Sequence, residues 1–143
     1  MDMMWTEKMS VGNVIIDNDH KELLGLIMAL DSEINTKNHA ALPRALKLLK
    51  GCMNRHFYNE ELFAHALGIP FAMHKVAHQN MQTEIDFLMY EIEKGSVATT
   101  CAIEHYSQFL RDWLIKHIAE EDMQMKPLLQ AHPYDLKIDG ISL

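Results

Sequence analysis

A chain of 143 residues with 48% hydrophobic content is long enough for one compact domain with a sizeable buried core, and one domain is the count expected. Its formal net charge of -7, with histidines neutral, lacks the basic footprint that a phosphate backbone requires, so nucleic acid is excluded as a partner. Apolar runs are short and broken by charge, and the opening MDMMWTEKMS has neither the basic end nor the hydrophobic stretch of a secretory signal; no membrane span and a cytoplasmic location are expected.

From Met1 to about Asp17 no helical period is sustained, and Gly12 and Asn13 interrupt it, which predicts an arm laid over the domain. Between Asn18 and Lys37, Leu23, Leu24, Ile27, Leu30 and Ile34 recur at three- and four-residue steps, the mark of an amphipathic helix, with Asp17 or Asn18 as its cap. A second helix is expected from Pro43, a good first-turn residue, through Leu46, Leu49, Met53, Phe57 and Leu62 to the break at Gly68 and Pro70. The third is expected from Phe71 to Lys94, with Val76, Met81, Ile85, Leu88 and Ile92 inward and Gly95 as its stop. The fourth is expected from Ala98 to Leu129, carrying Ile103, Leu110, Trp113, Leu114 and Ile118, with a kink or a short terminal segment at Pro127. Four amphipathic helices with short connections and no strand pattern between them predict an all-α, up-down-up-down four-helix bundle with an N-terminal arm over residues 1–131. Residues 132–143 form a tail, either a terminal cover or the start of a linker.

Histidines and carboxylates recur on these helices at telling spacings: His20 alone, His56 with Glu60, His74 with His78, and His117 with Asp122. Residues four apart share a helix face, and side chains from four helices of one bundle can converge on two metal ions. A histidine-carboxylate hydrogen bond is the rival reading of His56 and Glu60. It does not account for His74 and His78, which repel if both are charged but are compatible as neutral ligands. His39, His65, His105 and His132 sit between elements, near helix ends or on other faces and are left off the metal. The eleven methionines read as core filler and surface, and Cys52 and Cys101, at no metal-like spacing, as buried free thiols.

In this order and at these separations, the stretches IDNDHKEL, HFYNEE, HKVAH and WLIKHIAEED, behind a tryptophan-bearing arm, resemble the hemerythrin family in its bacterial single-domain form. The resemblance covers nearly the whole chain. It implies a non-haem di-iron centre, oxo- or hydroxo-bridged, with His74, His78 and His117 on one iron, His20 and His56 on the other, and Glu60 and Asp122 bridging. Counting donors on that scheme fills an octahedron around the first iron and leaves a vacancy on the second, where dioxygen is the expected ligand and nitric oxide a further candidate. The ligand pocket is expected from Leu24 and Ile27, one and two turns beyond His20, and from Trp113 and Leu114, one turn before His117. Plain helical spacing pairs His117 with Glu121 rather than Asp122; the family pattern requires Asp122 and hence a local distortion of the helix. The chain departs from the family at Asp19, where glutamine is frequent, and at Ile69, where an aromatic residue is frequent.

The function expected is reversible dioxygen binding for storage, delivery or buffering, without catalysis; the alternative is an oxygen- or redox-sensing domain of a signalling protein. An oxidase or iron-storing site of the ferritin-like type is disfavoured because its Glu-x-x-His motifs are missing from the chain.

Overall fold

The computed structural model describes residues 5–94 and 100–141, with side chains from residue 104 onward in the second stretch. Four long helices dominate: α1 (Val14–Asn35), α2 (Leu42–Leu67), α3 (Ala72–Glu93) and α4 (Thr100–Glu120). A 3-10 turn over Asp122–Met125 and a one-turn helix α5 (Lys126–Leu129) follow. The expected stop at Gly95, the start at Ala98 and the side chains of Cys101 and Ile103 lie outside the described residues.

α1 starts a full turn before the position that periodicity alone indicates, and its cap is Asn13 rather than Asp17 or Asn18. The Asn13 side chain accepts from the backbone N–H of Ile15 at 2.9 Å and of Ile16 at 3.3 Å, satisfying two donors that a helix start leaves open. Gly12 precedes it at a φ of 88°, and a Cβ there would stand 3.2 Å from that of Gln130, so this turn needs both glycine's backbone freedom and its lack of bulk. α2 carries Pro43 in its first turn and ends at Gly68, left-handed at a φ of 69°, whose N–H closes on the Ala64 carbonyl. The expected fourth helix divides into α4, the 3-10 turn and α5, and Pro127 occupies the first turn of α5, where its missing N–H costs nothing.

α1 packs against α2 and α4, and α2 against α3. Two separate apolar clusters fill the bundle. The larger joins Leu23 to Ile34 of α1, Leu42 to Phe57 of α2, Met81 to Leu88 of α3 and Leu110 to Ile118 of α4. The smaller closes one end with Val11, Ile15, Ile16, Phe63, Ala64, Ile69, Met125 and Leu129. Val76, which the apolar periodicity points inward, is instead 46% exposed.

The arm, expected to reach Asp17, gives way to α1 after Asn13; its Trp5 and Met9 pack on the larger cluster, with the Lys21 ammonium 4.3 Å from the Trp5 ring centre. Asp17, fully buried, fastens both chain ends to α1: it accepts from the Val11 N–H at 2.9 Å, the Ser10 hydroxyl at 2.5 Å and the Tyr134 hydroxyl at 2.8 Å. The tail folds back as a cover, with Leu136, Ile138 and Ile141 on the smaller cluster and the Asn13 amide donating to the Leu136 carbonyl. Among the described residues no helix is long and apolar enough to cross a membrane.

Candidate metal centre

The seven ligand candidates occupy one polar layer between the two apolar clusters. His20 lies between Ile16 and Leu23, His56 and Glu60 between Met53 and Phe63, and His117 and Asp122 between Leu114 and Met125. They sit early in α1, late in α2, early in α3 and at the end of α4, so only an alternating bundle brings them to one level. All seven are buried: His20, His56, Glu60 and Asp122 completely, and His74, the most open, 8% exposed.

Within this layer the side chains divide into two groups of donor atoms that share the same two carboxylates. One contains His74, His78 and His117, the other His20 and His56, and Glu60 and Asp122 belong to both. Each carboxylate turns one oxygen to each side. Glu60 Oε2 is 2.8 Å from His74 Nε2 and 3.5 Å from His78 Nε2, while Oε1 faces His20 Nε2 at 3.7 Å and also touches His56 Nε2. Asp122 Oδ1 lies 2.8 Å from His74 Nε2 and 2.9 Å from His117 Nε2, and Oδ2 lies 2.7 Å from His20 Nε2.

These atoms fit a cation better than they fit one another. Both oxygens of Glu60 and both of Asp122 are buried and, among the described residues, meet no N–H aligned for a hydrogen bond, an arrangement that is costly unless something else satisfies them. His20 Nε2 and His56 Nε2 face each other at 3.1 Å, as do His78 Nε2 and His117 Nε2. Two nitrogens bound at right angles to one ion at about 2.1 Å would be about 3.0 Å apart. Nitrogen and carboxylate donors without thiolate, five in one group and four in the other with two shared between them, suit a pair of transition-metal ions of higher coordination number rather than structural zinc.

The electrostatics describe the same cavity with protons in place of metal. Burial opposes charge on every imidazole, but the two carboxylates outweigh it at His20 and more strongly at His56, and they raise His74 to about 9 and His117 to about 10. His78 is the exception: burial, with His117 and His74 beside it, holds it below 6.5. Burial would raise Glu60 and Asp122, and at Asp122 the charge of Glu60 adds to it; the surrounding histidines instead keep both well below the ordinary carboxylate range.

The end of α4 shows how Asp122 enters this layer although it is five residues past His117. The α-helix ends at Glu120, Glu121 takes a φ of -100°, and the 3-10 turn that follows re-aims Asp122 inward. Glu121, at the regular four-residue spacing, meets the other nitrogen of the same ring, its carboxylate accepting from His117 Nδ1. Aromatic rings clamp the three-histidine side: Phe57 stacks on His78 with centres 3.8 Å apart, Trp113 on His117 at 4.6 Å, and Phe71 leans on His74 at 4.4 Å. Of the four residues expected to line a ligand pocket, Leu24, Ile27 and Leu114 are buried in the larger cluster, and Trp113, partly buried, packs on that cluster and against His117. Helical spacing pairs Glu121 with His117, and the structure has that contact; spacing does not single out Phe57 and Phe71 as ring clamps, and the signal available for Phe71 is an aromatic residue three positions before His74. Cys52 is buried and unpaired, and burial pushes its thiol up to about 12, which leaves it inert.

Known proteins resemble this chain over most of its length. The chain is 29% identical over 129 residues to a bacteriohemerythrin of Campylobacter jejuni subsp. jejuni serotype O:23/36, covering 86% of this chain and 92% of that protein. It is 28% identical over 131 residues to a bacteriohemerythrin of Methylococcus capsulatus, covering 90% and 98%. A crystal structure of wild-type hemerythrin superimposes with a TM-score of 0.80 at 25% identity, over 90% of this chain and 98% of that one. The family model described as the hemerythrin HHE cation binding domain matches residues 11–129, and with two donor groups converging on shared carboxylates inside a four-helix bundle, the chain belongs to that family.

Proposed function

We propose that this protein binds dioxygen reversibly at a pair of iron ions, for storage, delivery or buffering. His74, His78 and His117 would hold one ion, His20 and His56 the other, and Glu60 and Asp122 would give one oxygen to each. The observation that carries the reading is the inequality of the two groups, three histidines against two around the same carboxylates. When bound, the iron pair supplies two electrons, one from each ion, to a small diatomic ligand and recovers them when it leaves.

The chain's own residues set the conditions for that exchange. The three-histidine group has one donor more, so the open position belongs on the side of His20 and His56, and nitric oxide is a second ligand proposed for it. Glu121 holds a proton at His117 Nδ1, which leaves Nε2 as the donor facing the layer. Leu24, Ile27 and Leu114, 3%, 0% and 0% exposed, keep water from the layer, which opposes proton delivery and loss of electrons to solvent.

Anaerobic loading with ferrous iron followed by cycles of air and argon tests the proposal. Visible bands that appear in air and vanish under argon over repeated cycles support it. Irreversible bleaching in the first cycle, or turnover of a reductant, overturns it.

A further inference from the structure

The two-histidine group is backed by a carboxylate that the seven ligands do not include. Asp19, 6% exposed on α1, places Oδ2 3.3 Å from His56 Nδ1 and 3.2 Å from the Asn59 amide nitrogen, which donates to it. Its other oxygen lies 3.8 Å from the Arg55 guanidinium, which also pairs with Glu22 at the mouth of a 540 Å³ groove between α1 and α2. A line of polar groups thus runs from the surface through Arg55 and Asp19 to the back of His56. Among the described residues His20, the other imidazole of this group, has no hydrogen-bond partner at its Nδ1, so the carboxylate acts on one ring of the pair.

We propose that Asp19 is the positioning residue of the two-histidine half of the centre, accepting the Nδ1 proton of His56 and thereby fixing Nε2 as the donor and setting its strength toward the metal. This rests on the di-metal reading above and adds to it the group that tunes the half where the small ligand goes. The physical argument has two parts. A carboxylate behind an imidazole locks its tautomer and raises its basicity, as Glu121 does for His117 on the other side. Asn59 and Arg55 hold that carboxylate in turn, so its charge is shared and its position does not depend on the metal. A glutamine amide in place of Asp19 would accept the same proton without the charge, so the acid makes His56 a stronger donor than the neutral residue would.

Co(II), whose visible bands report coordination, is the probe. Full-length wild type and Asp19→Asn are titrated with it anaerobically. Wild type is expected to take two equivalents; in Asp19→Asn the first binds as in wild type and the second about 10–100-fold more weakly, with shifted bands. Arg55→Gln, farther from the imidazole, keeps the test available if Asp19→Asn does not fold, and is expected to move the second step alone. Asp31→Asn is the structural control: it removes another carboxylate of α1, one that ties Ser107 and Arg111 of α4, and is expected to lower Tm and move neither step. Wild type binding two equivalents beside an Asp19→Asn that matches it in both steps, or that weakens both together in proportion to Tm, overturns this inference alone. Wild type binding fewer than two overturns the di-metal reading and this inference with it.

Discussion

Glu121 and Asp122 are neighbours in sequence that meet the two different nitrogens of one ring: the Glu121 carboxylate touches His117 Nδ1, and Asp122 Oδ1 lies 2.9 Å from His117 Nε2. The first contact follows from a regular helix, the second from the helix ending one residue earlier. The substitutions should therefore differ in kind. Asp122→Asn is expected to lose the bridging charge and with it both irons, whereas Glu121→Gln is expected to keep two irons per chain and hold them more weakly, by about 10-fold. Iron content after gel filtration checks both, and equal losses from the two variants would contradict the assignment.

The metal-free and metal-loaded forms should respond to pH in opposite directions. His74 and His117 titrate near 9 and 10 in the folded chain against 6.5 unfolded, so their pairing with Glu60 and Asp122 stabilises the metal-free fold fully below pH 6.5 and is lost as pH rises through 9 to 10. The two carboxylates are depressed from 4.5 and 3.8, so their share is present above those values and is lost in acid. Metal requires neutral imidazoles, so loading should strengthen as the pH rises over the same range. Tm measured with and without metal between pH 6 and 10 is expected to fall for the free chain and to hold or rise for the loaded one.

Leu114 is fully buried one turn before His117, in the apolar layer that borders the metal centre. Leu114→Ala is expected to cost about 2–5 kcal/mol of stability and to speed loss of the oxygenated bands by admitting water. Stopped-flow and slow-scan absorbance check it; an unchanged decay rate would remove Leu114 from the water barrier.

Much of the fold is legible in the sequence because helix-period patterns survive packing. The apolar steps from Leu23 to Ile34 and from Leu46 to Phe57 become the larger cluster, and the four His and acid stretches arrive at one level because they alternate between early and late helix positions. What local pattern does not carry is a side chain's choice among distant partners. Asp17 reads as a helix cap, but Asn13 takes that role and Asp17 joins both ends of the chain, a contact across 117 residues with Tyr134. Trp113 reads as a pocket wall, and the ring it stacks on is His117, a specific contact that apolar periodicity does not name. Asp19 reads as a departure from the family beside His20, and its partner is His56 on the next helix.

The Asp17 contacts give a test of the arm and tail as a cover. Asp17→Ala leaves the buried Val11 N–H unpaired and frees the Tyr134 hydroxyl, and is expected to cost about 2–4 kcal/mol. Tyr134→Phe, which removes one of the bonds, is expected to cost about 1 kcal/mol. Denaturant unfolding measures both, and limited proteolysis should cut the tail of Asp17→Ala sooner while the iron content stays at two.

The most direct measurement is anomalous diffraction at the iron edge from crystals of the loaded protein soaked with a small anion such as azide. The account predicts two iron peaks, one among His74, His78 and His117 and one between His20 and His56, both touched by Glu60 and Asp122, with the anion on the second alone. A single peak, or an anion on the three-histidine ion, would contradict it.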